Sequence, residues 1–548
     1  IVTVETQASI LKTTSVSYKE PTLTALSGPA FDSATTTHGS ASITLTGTNF
    51  GPTSTTDFVV KYGPSTNVDK YTASPCTVDL QTKVTCATIA GVGESLKWRV
   101  TIGGQNSQVS TQSTSYVVPQ LSSISGAAVD AATTTDGGAA ITLTGNFFGP
   151  ASDAAQYDGS DLIVQYGPDA APTKYLALSC TVTIAQTTIT CTTRSGVGVG
   201  LKWFVTLSTQ SSSILGTTTA YLPPTITGFK LGALTDDDGV SFTSVHVADT
   251  AGGELIALEG SNFGPLSADG VDSISATYGP TSLNTKYVAT SCSVRVMNPG
   301  SVTVITCVYV AGVGADLKWR VTVGGQTSEA STNVARYKTP VITDISGDSV
   351  DSPTPTSGGS SITLTGTFFG PPTGGAVNAP VVHYGPSGTP DKYSGASCVA
   401  VSQTSITCTK RPGVGLNLLW RVTVEGQVSD VYTAKSTSYS QPVVTSFSGP
   451  GASGASTRGS ESVTIVGTHF GDSHTEISAK YGPIVDSSID AKYTATGCTV
   501  VTHEKVTCNT IVGVGGALSW IVTIGLQASE PSVPTTSYVV PQLSSISG

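Results

Sequence analysis

Cysteine and histidine are the residues in this chain with the most chemistry in them, and their spacing separates them at once. Ten cysteines form five close pairs: Cys76/Cys86, Cys180/Cys191, Cys292/Cys307, Cys398/Cys408 and Cys498/Cys508. No pair has the Cys-x-x-Cys spacing of a zinc site, and no histidine recurs beside them. The stretch between them, as in Cys180-Thr-Val-Thr-Ile-Ala-Gln-Thr-Thr-Ile-Thr-Cys191, reads as strand, turn, strand. That sets the two sulfurs across a hairpin, so five disulfides are expected. Each closes a loop worth about 2–3 kcal/mol of chain entropy. Such bonds persist in oxidising compartments, which points to an extracellular or cell-surface chain.

The six histidines, at 38, 246, 383, 469, 474 and 503, share no common spacing. Nucleophilic catalysis needs a nucleophile, a base and an orienting group held together. Serine is abundant, yet no histidine recurs beside one, so no catalytic residue is nominated and no enzyme is expected. The cluster His469-Phe-Gly-Asp472-Ser-His474 has metal-ligand residue types but reads as a polar surface loop. Asp236-Asp237-Asp238-Gly239 lacks the alternate spacing and closing glutamate of a calcium loop and reads as a solvated tip. A recurring Gly-Val-Gly would need a strand-to-helix context to cradle phosphate, and reads instead as a turn. No metal and no cofactor is expected.

Composition narrows the class further. Only 11% of the 548 residues are charged, against about 25% in an ordinary domain. A net charge of −10 argues against nucleic acid as a partner, since a basic stripe is what displaces counterions. No apolar run approaches the roughly 20 residues of a spanning helix, so no membrane segment is expected within the chain. It opens on Ile1-Val-Thr-Val with no signal peptide, and is read as a mature or partial chain.

These residues belong to a repeat. Trp98, Trp203, Trp319, Trp420 and Trp520 each stand twelve residues after the second cysteine of a pair. Each also stands five residues after a Gly-Val-Gly. Tyr-Gly-Pro recurs at Tyr62, Tyr166, Tyr278, Tyr384 and Tyr481, and a Lys-Tyr follows it, with Tyr71, Tyr175, Tyr287, Tyr393 and Tyr493 five residues before the first cysteine. Five copies of one module of about 100 residues explain this register, each long enough to bury its own core.

Segments such as Ile43-Thr-Leu-Thr, Ile406-Thr-Cys and Trp98-Arg-Val-Thr-Ile alternate apolar with polar, the period of a half-buried strand. Gly, Pro, Asn and Asp clusters separate them, and no amphipathic helix is evident. About seven short strands per module predict an immunoglobulin-like sandwich, with the tryptophans as core anchors. The Pro-x-Ile opening, the stretch Gly358-Gly-Ser-Ser-Ile-Thr-Leu-Thr-Gly-Thr-Phe-Phe-Gly370 and the paired cysteines resemble the IPT/TIG domain, the immunoglobulin-like module of plexins and of some transcription factors. The resemblance covers essentially the whole chain. It implies the fold, while its members serve adhesion, signalling, DNA binding and plain spacing.

The expected architecture is therefore all-β, a tandem array of five immunoglobulin-like β-sandwiches. Residues 1–20 read as the closing strands of a preceding module. Modules one to five span 21–118, 119–222, 223–339 (with an insertion), 340–441 and 442–540, and 541–548 open a following one. Residues 536–548 repeat 114–126 identically, so a super-repeat of four modules in a longer natural chain is expected. Tyr-x-x-Pro junctions at Tyr116, Tyr337 and Tyr439 leave no linker. That predicts a rod gaining roughly 35–40 Å per module from strands of about ten residues.

No Asn-x-Ser/Thr sequon survives inspection. Threonine clusters at Thr35-Thr36-Thr37, Thr133-Thr134-Thr135, Thr217-Thr218-Thr219, and Thr354 and Thr356 around Pro355 are candidate O-glycosylation sites. Charge-poor, Thr-rich strands defend poorly against edge-to-edge association, so the surface is expected to carry O-linked glycans or to be covered by other copies. The function this favours is a structural subunit of an extracellular filament or surface fibre. The alternative is the ectodomain of an adhesion or signalling receptor with a cell-surface protein as partner.

Overall fold

A computed structural model describes residues 3–10, 16–153, 161–231, 246–265, 274–297, 302–373, 379–473, 476–485, 488–490 and 492–546. The chain is all-β, built of small antiparallel sheets. After a two-residue hairpin, β1 (Thr3–Val4) with β2 (Gln7–Ala8), module one supplies β3 (Thr22–Ser27), α1 (Pro29–Asp32), β4 (Ser42–Thr48), β5 (Phe58–Gly63), β6 (Tyr71–Thr72), β7 (Cys76–Leu80), β8 (Lys83–Ala87), β9 (Lys97–Ile102) and β10 (Gln105–Asn106). They form two four-stranded sheets, ordered β3-β4-β8-β7 and β10-β9-β5-β6.

Alternation decides which side is buried. Along β4, Ile43, Leu45 and Gly47 point inward while Thr44 and Thr46 do not. Along β9, Trp98 and Val100 are buried and alternate with the partly exposed Lys97, Arg99 and Thr101. Leu26, Ile43, Leu45, Val78 and Val84 from the first sheet meet Val60, Tyr62, Trp98 and Val100 from the second in one hydrophobic cluster. Four further clusters are built in the same way around Trp203, Trp319, Trp420 and Trp520. Each tryptophan is directly opposite the tyrosine of Tyr-Gly-Pro across two strands, as Tyr62 is to Trp98 and Tyr481 to Trp520. The rings stack with centroids 4.1–4.3 Å apart.

The cysteines are bonded as the five sequence pairs, Cys76–Cys86, Cys180–Cys191, Cys292–Cys307, Cys398–Cys408 and Cys498–Cys508. The two cysteines of a pair are buried unequally. The first cysteine of each pair is half-buried, whereas the second lies in the core. Cys307 is 0% and Cys508 1% exposed, and Cys86, Cys191 and Cys408 are also buried. The cause is strand alternation. Cys307 is directly across from Ile256, and Cys508 from Val463, both inward-facing. Each therefore joins its module's hydrophobic cluster, Cys307 around Trp319 and Cys508 around Trp520. Register differs too. Cys76 lies directly across from Cys86, but in the other four modules the pairing shifts at the first cysteine.

Two further features differ from the sequence reading. One-turn helices follow the first strand, at Pro29–Asp32, Ala127–Asp130 and Asp348–Asp351. Four residues are too few to show a helical period, and the glycine before each, such as Gly28 at φ 101°, sets the turn. The seven strands per module become eight in module one, because β6 and β10 are two-residue pieces.

A second tyrosine seals each core. Tyr116 Oη lies 2.7 Å from Tyr62 Oη and donates to the Ile89 carbonyl at 2.6 Å, while the Ile89 amide donates to Tyr62. The pairs Tyr166/Tyr221, Tyr278/Tyr337, Tyr384/Tyr439 and Tyr481/Tyr538 repeat it. Burial pushes Tyr62, Tyr166 and Tyr278 up to about 12. Module four adds a buried lysine. Lys410, two residues after Cys408, takes the place of Thr88, Thr193 and Thr510, and burial pushes its amine down to about 7 despite the Tyr439 ring 4.0 Å away.

The signs of these two shifts differ. Raised tyrosines hold protons that the unfolded chain gives up above pH 10, so stability should fall as pH rises from about 10 to 12. Tyrosinate absorbance and far-UV circular dichroism should then change together. A lysine depressed on folding binds fewer protons than the unfolded chain between about pH 7 and 10.5, so module four should gain stability with rising pH there. Lys410→Thr should abolish that rise and stabilise the module at neutral pH, read by denaturant midpoints across pH.

Candidate functional site: the junctions between modules

The features built most consistently along the chain lie where one module meets the next. Only Val117, Val118 and Pro119 separate Tyr116 from the next strand at Gln120. The module core and the linkage meet at Gly-Val-Gly. In module one Tyr71 Oη donates to the Val92 carbonyl at 2.9 Å and accepts from the Val92 amide at 3.1 Å. Tyr175/Val197, Tyr287/Val313, Tyr393/Val414 and Tyr493/Val514 repeat both bonds. The tyrosine of Lys-Tyr therefore fixes the valine backbone and aims its side chain outward.

That side chain enters the next module. Val92 belongs to the cluster around Trp203, Val197 to that around Trp319, Val313 to that around Trp420 and Val414 to that around Trp520. All four are between 2% and 6% exposed. Glycine makes the socket. A Cβ on Gly149 would stand 2.6 Å from Val92, one on Gly264 2.5 Å from Val197, and one on Gly370 2.2 Å from Val313. These are the glycines of Phe-Gly-Pro, and their φ near +80° already favours glycine.

A glutamine at the tip of the next module's hairpin closes the seam. Gln210, Gln326, Gln427 and Gln527 donate through Nε2 to the carbonyls of Tyr116, Tyr221, Tyr337 and Tyr439 at 2.8–2.9 Å. Gln105 does the same to Tyr18 at 3.0 Å. The Oε1 atoms of Gln326, Gln427 and Gln527 accept from the amides of Gly198, Gly314 and Gly415 at 3.2 Å. Those glycines are the second of Gly-Val-Gly, so plug and clamp share one turn.

Side chains further round the seam add to it. Gln186 accepts from the Thr37 hydroxyl and donates to its carbonyl; Gln403 does both with Thr250. His503 stands where those glutamines do, its Nδ1 3.2 Å from the Thr356 hydroxyl. Burial first, then nearby His503, holds His469 below the usual imidazole range. Two ion pairs also cross, Lys70 with Asp161 and Lys286 with Glu425. The lysine of Lys-Tyr thus points at the following module in both.

This geometry corrects several candidate residues. Thr35, Thr37, Thr135, Thr219, Thr354 and Thr356 are buried, Thr37 and Thr356 inside the seams and Thr219 accepting from Trp203 Nε1. Their hydroxyls are out of reach of a glycosyltransferase in the folded chain. Thr36, Thr134, Thr217 and Thr218 are exposed, and Thr133 is half-buried. His474 and the Asp236–Gly239 loop lie outside the described residues, among which no group of three His, Cys, Asp or Glu could hold a metal. The junction glutamines escaped sequence reading. Their only signal was recurrence after the tryptophan strand, at 105, 210, 326, 427 and 527.

Five disulfides place the chain outside the cell or on its surface. Among the described residues no helix is long and apolar enough to cross a membrane. No protein-family model and no curated protein matches the chain. Among solved structures it is similar to the full extracellular region of plexin A4, at 12% identity and a TM-score of 0.18, covering 88% of this chain and 47% of that one. It thus spans about half the length of the plexin chains it matches. Chicken CNTN1 FN1–FN3 domains match at 13% identity and 0.20, covering 57% of this chain and 97% of that one. The bacterial integrin-binding protein invasin matches at 11% and 0.17, over 79% and 80%.

The plug couples neighbours in one direction. Val313→Ala should lower the stability of module four by about 1–2 kcal/mol, for two lost methyl groups and the cavity left behind. Module three, which contributes only the valine's backbone bonds, should change far less. Hydrogen exchange resolved by module checks this.

Proposed function

We propose that the chain is a structural subunit of an extracellular filament or surface fibre, a linkerless rod of five IPT/TIG-like β-sandwiches with the boundaries given above and no catalytic role. The observation that carries this reading is the junction. At four successive boundaries a valine is buried in the next core and a glutamine holds the tyrosine carbonyl that ends the module, and at three of them the glutamine also holds the turn that bears the valine. A chain of modules that only displayed separate binding sites would have no need to bury its seams. Fixed seams transmit load and hold an axial repeat. Low charge supports the same reading, because identical rods with little net repulsion can lie side by side.

Its partners on this reading are other copies of itself. O-linked glycans on Thr36, Thr134, Thr217 and Thr218 would cover the faces that remain open. The receptor ectodomain stays the second reading, favoured only by the rod geometry that both share.

Electron microscopy of native material should show regular filaments whose axial repeat matches one or four modules. Dispersed thin rods would overturn the filament reading. Intact mass should exceed the 55.5 kDa of the bare chain if glycans are present; a mass equal to it would remove them.

A further inference from the structure

The seam between modules four and five places titrating side chains where two other seams place amides. At the first and third seams one threonine meets one glutamine. The Thr37 hydroxyl donates to Gln186 Oε1 and the Thr250 hydroxyl to Gln403 Oε1, and each glutamine returns a bond from Nε2 to the same threonine's carbonyl. At the fourth seam the threonine is Thr356, 1% exposed, and its partner is His503 Nδ1 at 3.2 Å. The corresponding turn of module three, at the second seam, lies outside the described residues.

A second histidine stands beside the first. The Phe470 amide donates to the His503 carbonyl at 3.0 Å, which laces the loop of His469 to the turn of His503. His469 takes the position of Phe147, Asn262 and Phe368, none of which titrates. At that position Asn262 donates to the Pro223 carbonyl, in the link from the module before. On module four's side, Thr354 accepts from the buried Lys410 amine at 3.2 Å. Thr354 and Thr356 thus each hold a titrating nitrogen, one from either module.

The remaining charges on these segments do little to offset a proton on His503. Module four brings Lys392 and Arg411 besides Lys410, and module five brings Asp472, Glu504 and Lys505. Both carboxylates are exposed, so water screens their attraction. The hairpin tip Gly525-Leu526-Gln527 and the link Ser440-Gln441-Pro442 carry no charge.

We propose that this seam is a pH-operated hinge, closed at neutral pH and opened by mild acid while the first and third seams stay closed. It stands apart from the filament reading, since it needs only one chain. A neutral imidazole accepts at Nδ1 from the Thr356 hydroxyl, as Oε1 of Gln186 and Gln403 accept from theirs. An imidazolium only donates. Protonation of His503 therefore removes the bond, and the Thr356 hydroxyl loses its acceptor where little water can replace it. A proton on His469 then sets two like charges side by side. Burial, and then His503, hold His469 below its ordinary value of 6.5, so the folded seam binds fewer protons than the open one. Closure is retained above about pH 6.5 and lost as pH falls below it. His38, beside Thr37 at the first seam, is exposed and takes its proton in water whether that seam is open or closed.

The test is hydrogen exchange on the full chain at about pH 7.5 and about pH 5.5, corrected for the intrinsic pH dependence of exchange. An imidazole that takes its proton only in the open seam raises the open fraction by about tenfold per pH unit below about 6.5. The Gly415 amide donates to Gln527 across this seam, and the Gly314 amide to Gln427 across the third. Gly415 should lose about tenfold in protection at the lower pH while Gly314 keeps its own. His503→Gln restores the residue found at the other two seams, and should leave Gly415 protected at both pH values. Equal protection of Gly415 and Gly314 at the lower pH overturns the proposal. So does a loss at Gly415 that survives His503→Gln, or one that Lys410→Thr removes and His503→Gln does not.

Discussion

The interaction on which the structure depends is the double hydrogen bond between one tyrosine hydroxyl and one valine backbone, repeated in every module. A turn of Gly-Val-Gly has little to hold it, since its glycines gain nothing from packing and lose much entropy on ordering. The hydroxyl accepts from the valine amide and donates to its carbonyl, using both of its capacities inside the module. With the backbone fixed, the isopropyl group has one direction left, into the neighbour. Everything downstream follows from that aim: the glycine that leaves room for it, the hairpin that covers it, and the glutamine that ties the cover down.

The polar half of the seam is made mainly of amides rather than charges, and burial explains the choice. Taking an ion pair out of water costs several kcal/mol per ion before any attraction is recovered. A glutamine amide offers one acceptor and two donors with no charge to desolvate. Gln326, Gln427 and Gln527 use both ends, one on a glycine amide and one on a tyrosine carbonyl. The charges that do cross, Lys70 to Asp161 and Lys286 to Glu425, sit beside this clamp and lie over their own tyrosine rings at 5.5 and 5.3 Å. The modules tolerate local departures around this scheme. Module three has Ala335 where the others offer threonine to the tryptophan, and there Tyr309 packs edge-on against Trp319 instead. Module four buries Lys410 in place of a threonine.

Much of the fold was legible because strand alternation and repetition reinforce each other. One copy of Ile-Thr-Leu-Thr suggests a strand; three copies, with Ile256-Ala-Leu-Glu and Val463-Thr-Ile-Val at the matching positions and all five in register with a tryptophan, a tyrosine and two cysteines, leave little freedom. The one-turn helices were not legible, because four residues carry no period. Pairing of the cysteines was legible from spacing, but the burial of Cys307 and Cys508 was not, because it depends on which side of the strand meets the second sheet. The threonine clusters misled for a physical reason. Ser and Thr serve equally as solvent-facing polar residues and as buried hydrogen-bond partners for amides and indoles, and composition does not separate the two. Thr36 is exposed and Thr37 buried, one residue apart, because the seam covers one side of the loop only.

What the amino-acid sequence determined by itself was the unit and its core: strand periodicity, the tryptophan anchors, the cysteine pairs and the compartment they imply are local or repeat at fixed spacing. Tyr71, Gly91-Val-Gly93, Gly149 and Gln210 were visible as recurring letters with no stated relation, since they lie up to 139 residues apart. Only the tertiary structure decided that the tyrosine, the valine, the glycine and the glutamine form one joint across two modules. The reason is that packing acts through space. Whether a valine fills its own core or its neighbour's depends on the direction its backbone is held, and that direction exists only once both modules are folded.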